Sequence, residues 1–180
     1  MCPQVRISTG AAENQLSTGA QFANVICKLA KTAENIYVLD ADLEKSCRLT
    51  EFTADFPERF VEMGISEQDM VSFAGGLALR GKLPIVNTYA NFYRRAFEQI
   101  YINSTENYKI IYAGHYSGLC YTTDGKSHQC IGDIAMMRSI PNMIVMYPSF
   151  DFEIEQILYW YMKLKTNAPM YIKLHRTPPL

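Results

Sequence analysis

A carboxylate leads the residues of this chain that could do chemistry. The segment Glu62-Met-Gly-Ile-Ser-Glu-Gln-Asp-Met70 passes from an apolar, strand-like stretch into a helical one. Phe73-Ala-Gly-Gly-Leu-Ala78 follows, with small residues one turn on. Ser66 stands where an N-cap would, so Glu67 falls in the first helical turn. The macrodipole favours an anion there, whereas a neutral acid would need a partner or an apolar cover. Tyr89 and Phe92 bracket a second turn in Pro84-Ile-Val-Asn-Thr-Tyr-Ala-Asn-Phe-Tyr-Arg-Arg-Ala-Phe-Glu-Gln99, which also carries Arg95. Asp124 and His128 share the loop Tyr121-Thr-Thr-Asp-Gly-Lys-Ser-His-Gln129. An imidazole with a pKa near ~6.5 can relay protons to and from an oxygen. Asp40-Ala-Asp-Leu-Glu-Lys-Ser46 puts Asp42 and Ser46 just after an apolar run, and Arg176 lies near the end of the chain. Read alone, each has an ordinary alternative: a helix-start carboxylate, core aromatics, a surface Asp-Gly turn with an incidental His, and a solvated acidic loop.

These segments need elements to hold them. Apolar positions at Phe22, Val25, Ile26, Leu29 and Ala30 predict a helix over 17–31. Short apolar runs predict strands at 36–39, 60–63, 84–88, 109–113, 142–146 and 170–174. Helical patterns are predicted at 67–80 (stopped by Gly81), 92–103, 131–138 and 151–165, and a polar loop runs from 114 to Gln129. Continuous apolar strands between helices signal a parallel sheet covered on both faces. The predicted fold is therefore α/β, a doubly wound, mainly parallel sheet of about six strands. Ligands of such sheets sit outside the carboxyl ends of the strands, and the polar and aromatic residues above gather in those loops.

Composition narrows the class further. The 180 residues are 48% hydrophobic and 19% charged with a net charge of −1, which predicts one folded domain without affinity for nucleic acid. No apolar run is long enough to cross a bilayer, and residues 1–10 have no signal-like apolar stretch, so no membrane partner is expected. The five cysteines show no CxxC pair or metal spacing, which fits a reducing cytoplasm, and no metal ligands are assigned to the chain. Twelve tyrosines and nine phenylalanines suggest that part of the aromatic surface serves an interface. The chain is expected to divide into an N-terminal extension, 1–16, and a domain, 17–180, and the prolines of Thr177-Pro-Pro-Leu180 are of the kind that begin a linker.

Together the segments resemble the pyrimidine-binding domain of the transketolase family of thiamine-diphosphate enzymes, over about Ser17 to Arg176. The resemblance implies roles for individual residues. Glu67 matches the glutamate on N1′ of the cofactor's aminopyrimidine, which favours the imino tautomer whose nitrogen takes the thiazolium C2 proton. Tyr89 and Phe92 match aromatics that pack on the pyrimidine, where a flat ring gains dispersion and sheds water. Asp42, in an Ala-Asp-Leu turn, matches a residue near the cofactor. Arg95 stands where transketolases usually have an aromatic and deoxyxylulose-phosphate synthases an arginine. Asp124 and His128 match contacts to substrate hydroxyls, His128 also as a proton carrier; Thr123 replaces a common glutamate. Ser46 and Arg176 match residues that hold a sugar phosphate, but Ser17-Thr-Gly19 lacks an arginine common at that place.

The family also needs a diphosphate clamp, a Gly-Asp-Gly and an Asn-Asn that hold Mg²⁺ through oxygen ligands. No Gly-Asp-Gly occurs here. The resemblance thus implies a diphosphate-binding partner subunit that brings the Mg²⁺, or the front of a longer enzyme, and it admits pairing with a copy of this chain. The expected activity is transfer of a two-carbon ketol unit from a ketose or its phosphate to an aldehyde, by a cytoplasmic heteromer. A thiamine-dependent synthase acting on a 2-oxo acid and a non-catalytic assembly or regulatory subunit are the alternatives.

Overall fold

The computed structural model describes residues 16–119 and 124–176. The expectations for the N-terminal extension before Leu16, for Thr123 and for Thr177-Pro-Pro-Leu180 lie outside the described residues. Helix α1 (Thr18–Ala30) leads into β1 (Ile36–Asp40). Then come α2 (Thr50–Asp55), β2 (Phe60–Glu62), α3 (Glu67–Leu79) and β3 (Leu83–Tyr89). A 3-10 turn, Phe92–Ala96, runs directly into α4 (Phe97–Thr105). The chain continues with β4 (Ile111–His115), α5 (Asp133–Arg138), β5 (Ile144–Met146), α6 (Asp151–Lys163) and β6 (Met170–Lys173). The six strands form one sheet in the order β2-β1-β3-β4-β6-β5, and every pairing is parallel.

Alternation along the strands divides the core between the two faces of the sheet. Val38, Ile85, Ala113 and Ile172 pack with Phe22, Val25 and Ile26 of α1 and with Leu158 and Tyr161 of α6. Leu39, Val86, Tyr112 and Tyr171 pack on the other face with Met70, Val71 and Ala74 of α3 and Ile100 of α4. The expected doubly wound architecture is the one observed. From β1 the chain first adds β2 on one side and then crosses to β3 on the other. That reversal is where open α/β sheets bind ligands. The turns after β1 and β3 are thereby set side by side.

The differences from expectation have local causes. Helix α2 buries a single residue, Phe52, so it shows no apolar period to read. The predicted helix at 92–103 begins as a 3-10 turn because the buried Tyr93 hydroxyl donates to the Val86 and Ala113 carbonyls, 2.8 and 3.2 Å away, and draws the backbone onto the sheet. Strand β4 reaches two residues further than expected, to His115, which pairs in register with Tyr89. No helix among the described residues is long and apolar enough to cross a membrane, and no cluster of potential metal ligands is found among them.

Candidate functional site

Glu67 opens α3 at the end of the β2 connection. Ser66 precedes it, as expected, but its hydroxyl donates to the Met63 carbonyl at 2.6 Å and does not cap the helix. The first-turn N–H groups of α3 therefore have no side-chain cap, and the Glu67 carboxylate sits in their positive field. Glu67 is 3% exposed. Its Oε1 accepts a hydrogen bond from Nη1 of Arg95 at 2.8 Å, an ion pair with the arginine half in solvent. The same guanidinium lies 4.6 Å from the centroid of the Phe92 ring. One arginine thus joins the carboxylate to the aromatic turn after β3.

Four rings cluster there. Tyr89 stacks on Phe92 at 5.4 Å and 21°, and leans on Tyr116 at 4.4 Å. The His128 imidazole meets Tyr89 and Phe92 edge-on at 5.8 and 5.3 Å. His128 Nε2 is 3.8 Å from an Asp124 carboxylate oxygen, and its Nδ1 is 2.9 Å from the Ser127 hydroxyl. The Asn91 side chain donates to the Ser127 carbonyl and ties the two loops together. The structure therefore brings Glu67, Arg95, Phe92, Tyr89, His128 and Asp124 into one connected group.

Tyr116 carries the group onward. Its backbone is left-handed, with φ 55°, an uncommon state for a bulky residue and one that often marks a functional loop. Its hydroxyl donates to the Ser46 carbonyl at 3.3 Å, and the Arg176 guanidinium lies 5.2 Å from its ring centroid. Ser46, Arg48, His115, Tyr116, His175 and Arg176 line a small cleft against the start of α1. Asp42 joins through its backbone: it is exposed, has φ 58°, and its N–H donates to Glu62 Oε1 at 2.9 Å.

His115, His175, Tyr116 and Arg48 were not singled out from the sequence. His115 is 2% exposed, and burial pushes its pKa down to about 3, so the ring stays neutral. The Asn87 amide donates to the Leu39 and Ile85 carbonyls, so its Oδ1 faces His115 Nε2 at 3.2 Å as an acceptor. That assigns the proton to Nε2 and leaves Nδ1 as an acceptor. Burial, with the Lys173 charge, also pushes the His175 pKa down. The sequence signal for this pair was their place at the carboxyl ends of β4 and β6. Gly19 lies where α1 comes close to both histidines. A Cβ there would meet the His175 carbonyl oxygen at 3.3 Å and His115 Nδ1 at 3.4 Å, so the close approach of α1 favours glycine.

The profile of the family "Transketolase, pyrimidine binding domain" matches residues 14–178. A 1-deoxy-D-xylulose-5-phosphate synthase of Natranaerobius thermophilus is 34% identical over 175 residues, covering 94% of this chain and 27% of that protein. A transketolase C-terminal section of Methanocaldococcus jannaschii is 35% identical over 159 residues, covering 86% of this chain and 49% of that one. Among solved structures, a split-gene transketolase described as an inactive β4 tetramer superposes with a TM-score of 0.79 at 34% identity, covering 92% of this chain and 53% of that chain. This chain thus spans about half the length of the two sections and about a quarter of the synthase. With the fold, the paired strand-end turns and these matches in agreement, the chain belongs to the transketolase pyrimidine-binding-domain family.

Proposed function

We propose that this chain is the pyrimidine-binding component of a split transketolase-like enzyme, moving a two-carbon ketol unit from a ketose or its phosphate to an aldehyde. The observation that carries the reading is Glu67, a buried carboxylate at a helix start, joined through Arg95 to the rings of Phe92, Tyr89 and His128. A carboxylate beside aromatic faces suits a flat aminopyrimidine with one basic ring nitrogen. Thiamine diphosphate, when bound, supplies the electron sink for the two-carbon unit.

The chain's own residues bind, orient and handle protons. Glu67 holds a proton at the pyrimidine N1′. Arg95 fixes the direction of that carboxylate. Tyr89 and Phe92 stack on each other, so they offer the pyrimidine the outer face of a pair and exclude water from it. Asp42 borders the cofactor from the turn after β1. His128, with Asp124 beside it, moves protons at substrate hydroxyls. Ser46 and Arg176 hold a phosphate or other anion at the cleft beside Tyr116. The diphosphate and its Mg²⁺ are assigned to a Gly-Asp-Gly and Asn-Asn unit, carried by a partner subunit or by the front of a longer enzyme. A second copy of the chain is a further partner, in line with the β4 assembly of the split-gene relative. The cytoplasm is the proposed compartment, consistent with the buried free thiols Cys27, Cys47 and Cys130.

Two measurements test this. Calorimetry of the chain with thiamine diphosphate and Mg²⁺ should show weak binding alone and tight binding once a diphosphate subunit is added; tight binding by the chain alone would refute the split. Glu67→Ala should abolish turnover of the reconstituted enzyme, and retention of more than a few per cent would remove Glu67 from its role. Arg95 and the 34% identity to a deoxyxylulose-phosphate synthase favour a second reading, ligation of a 2-oxo acid fragment. Assaying the complex with pyruvate against ketose phosphates separates the two.

A further inference from the structure

Asp40 is a buried acid that the reaction does not use. It ends β1, beside the turn that carries Asp42 and Ser46, and it is fully buried. Its Oδ2 accepts the Leu43 N–H at 2.6 Å, while Oδ1 has no hydrogen-bond partner. The neighbouring strand β2 ends in Glu62, paired with Asp40 in register, so the two acids are neighbours across the strands. Glu62 Oε1 accepts two backbone N–H groups, Asp42 at 2.9 Å and Gly64 at 2.7 Å. One carboxylate therefore grips both turns: residues 40–46 on one side, and residues 62–67, which deliver Glu67, on the other.

We propose that Asp40 is a positioning residue: as the neutral acid it donates its free carboxyl proton to Glu62, and this acid–carboxylate pair clamps the turn of Asp42 and Ser46 to the turn that presents Glu67. The importance of that spacing rests on the function proposed above. An isolated buried carboxylate oxygen with no donor is costly, whereas a buried acid proton needs an acceptor, and Glu62 is the acceptor at hand. The surrounding groups oppose a second negative charge. Burial pushes the Asp40 pKa up from 3.8 to about 7, the Leu43 N–H pulls against this, and the charges of Glu62 and Glu44 add to the rise. Cys47 from the following loop and Tyr93 from the turn after β3 also face Asp40, and burial keeps both neutral. Among the described residues, the charged groups that act on Asp40 are the carboxylates of Glu62 and Glu44. When Asp40 loses its proton, two adjacent carboxylates repel, and Glu62 lets go of Asp42 and Gly64. The clamp holds in acid and loosens as pH rises through neutrality.

Carboxyl and amide NMR titration of the 180-residue chain tests this directly. The Asp40 carboxyl should titrate near pH 7, and the amide protons of Asp42 and Gly64 should shift upfield with the same midpoint. The Leu43 amide should keep its bond. Asp40→Asn keeps a neutral donor, so the Asp42 and Gly64 amides should stay flat over the range. Glu62→Gln should lower the Asp40 midpoint, because an amide can donate to the ionised form. In the reconstituted enzyme, the wild-type KM for the donor should rise across this range with kcat little changed, and Asp40→Asn should remove the rise. An Asp40 midpoint near its ordinary 3.8, or Asp42 and Gly64 amides indifferent to it, would overturn the clamp and leave the functional reading intact. Turnover surviving Glu67→Ala would overturn the functional reading and leave the clamp.

Discussion

Two buried aspartates, at different points along the carboxyl edge of the sheet, have opposite fates. Asp133 begins α5 near the ends of β4 and β6, and like Asp40 it is fully buried. Burial alone would push its acid up. The hydroxyls of Ser117 and Tyr171, 2.5 and 2.7 Å away, and the Lys173 ammonium, 3.1 Å away, outweigh that and hold the carboxyl below its usual range. Asp40 has one N–H and an acid for a neighbour, and it moves the other way. Burial is common to both, so the partners decide the charge state. The fold makes room for the partners of Asp133: a Cβ at Gly114 would come within 2.2 Å of the Tyr171 hydroxyl oxygen. The β4–β6 side is a fixed, charge-balanced support, and the β1–β2 side, next to the turns of the candidate site, is held by a proton.

The contrast can be broken at several points. Asp133→Ala should cost the most, about 3–5 kcal/mol, because it strands the buried Lys173 ammonium without a counter-charge. Urea unfolding with an unchanged slope measures it, and adding Lys173→Met should return much of the loss. Asp40→Asn should do the opposite at pH 8, gaining on the order of 1–3 kcal/mol. The sign follows from linkage. The folded-state pKa of Asp40 lies above its unfolded value, so its contribution to stability is fully present below about pH 4 and is lost as pH rises through about 7. The folded-state pKa of Asp133 is lowered, so its contribution is present above the unfolded pKa and lost on acidification. Midpoint-against-pH curves of Asp40→Asn and Asp133→Asn should therefore flatten opposite flanks, and two curves flattening the same flank would dissolve the comparison. Arg95→Ala should cost about 1 kcal/mol in stability, since its guanidinium is half in solvent and Glu67 keeps the helix start. Thermal melts read that value, and turnover should fall far more than stability does. Asp124→Ala should move stability by less than about 0.5 kcal/mol, because its pair with His128 is exposed and long. The donor KM should rise nonetheless.

Much of this was legible before any coordinates. Apolar runs and helix patterns alternate clearly, because a parallel sheet buried on both faces demands continuous apolar strands. The loops holding Glu67, Tyr89, Phe92, Arg95, Asp124 and His128 were identifiable because they follow those strands. Residues whose role depends on non-local neighbours were not. Nothing in Leu39-Asp40-Ala41 says that Asp40 lacks a cation, since Glu62 comes from another strand. His115 reads as one more polar residue until Asn87 and Gly19 are seen against it. Arg95 was expected near the cofactor, but its direct bond to Glu67 spans residues 28 apart.

The sequence by itself determined the layered α/β fold and the family, because these follow from local periodicity and short motifs, and its resemblance to that family named the candidate site residues. Only the tertiary structure decided which way burial and neighbours push each buried carboxyl group, which imidazole nitrogen faces an acceptor, and which arginine meets Glu67. Those properties depend on groups that the strand order β2-β1-β3-β4-β6-β5 brings within a few ångströms from distant parts of the chain. Electrostatic energies turn on such distances and on burial, and chain separation records neither.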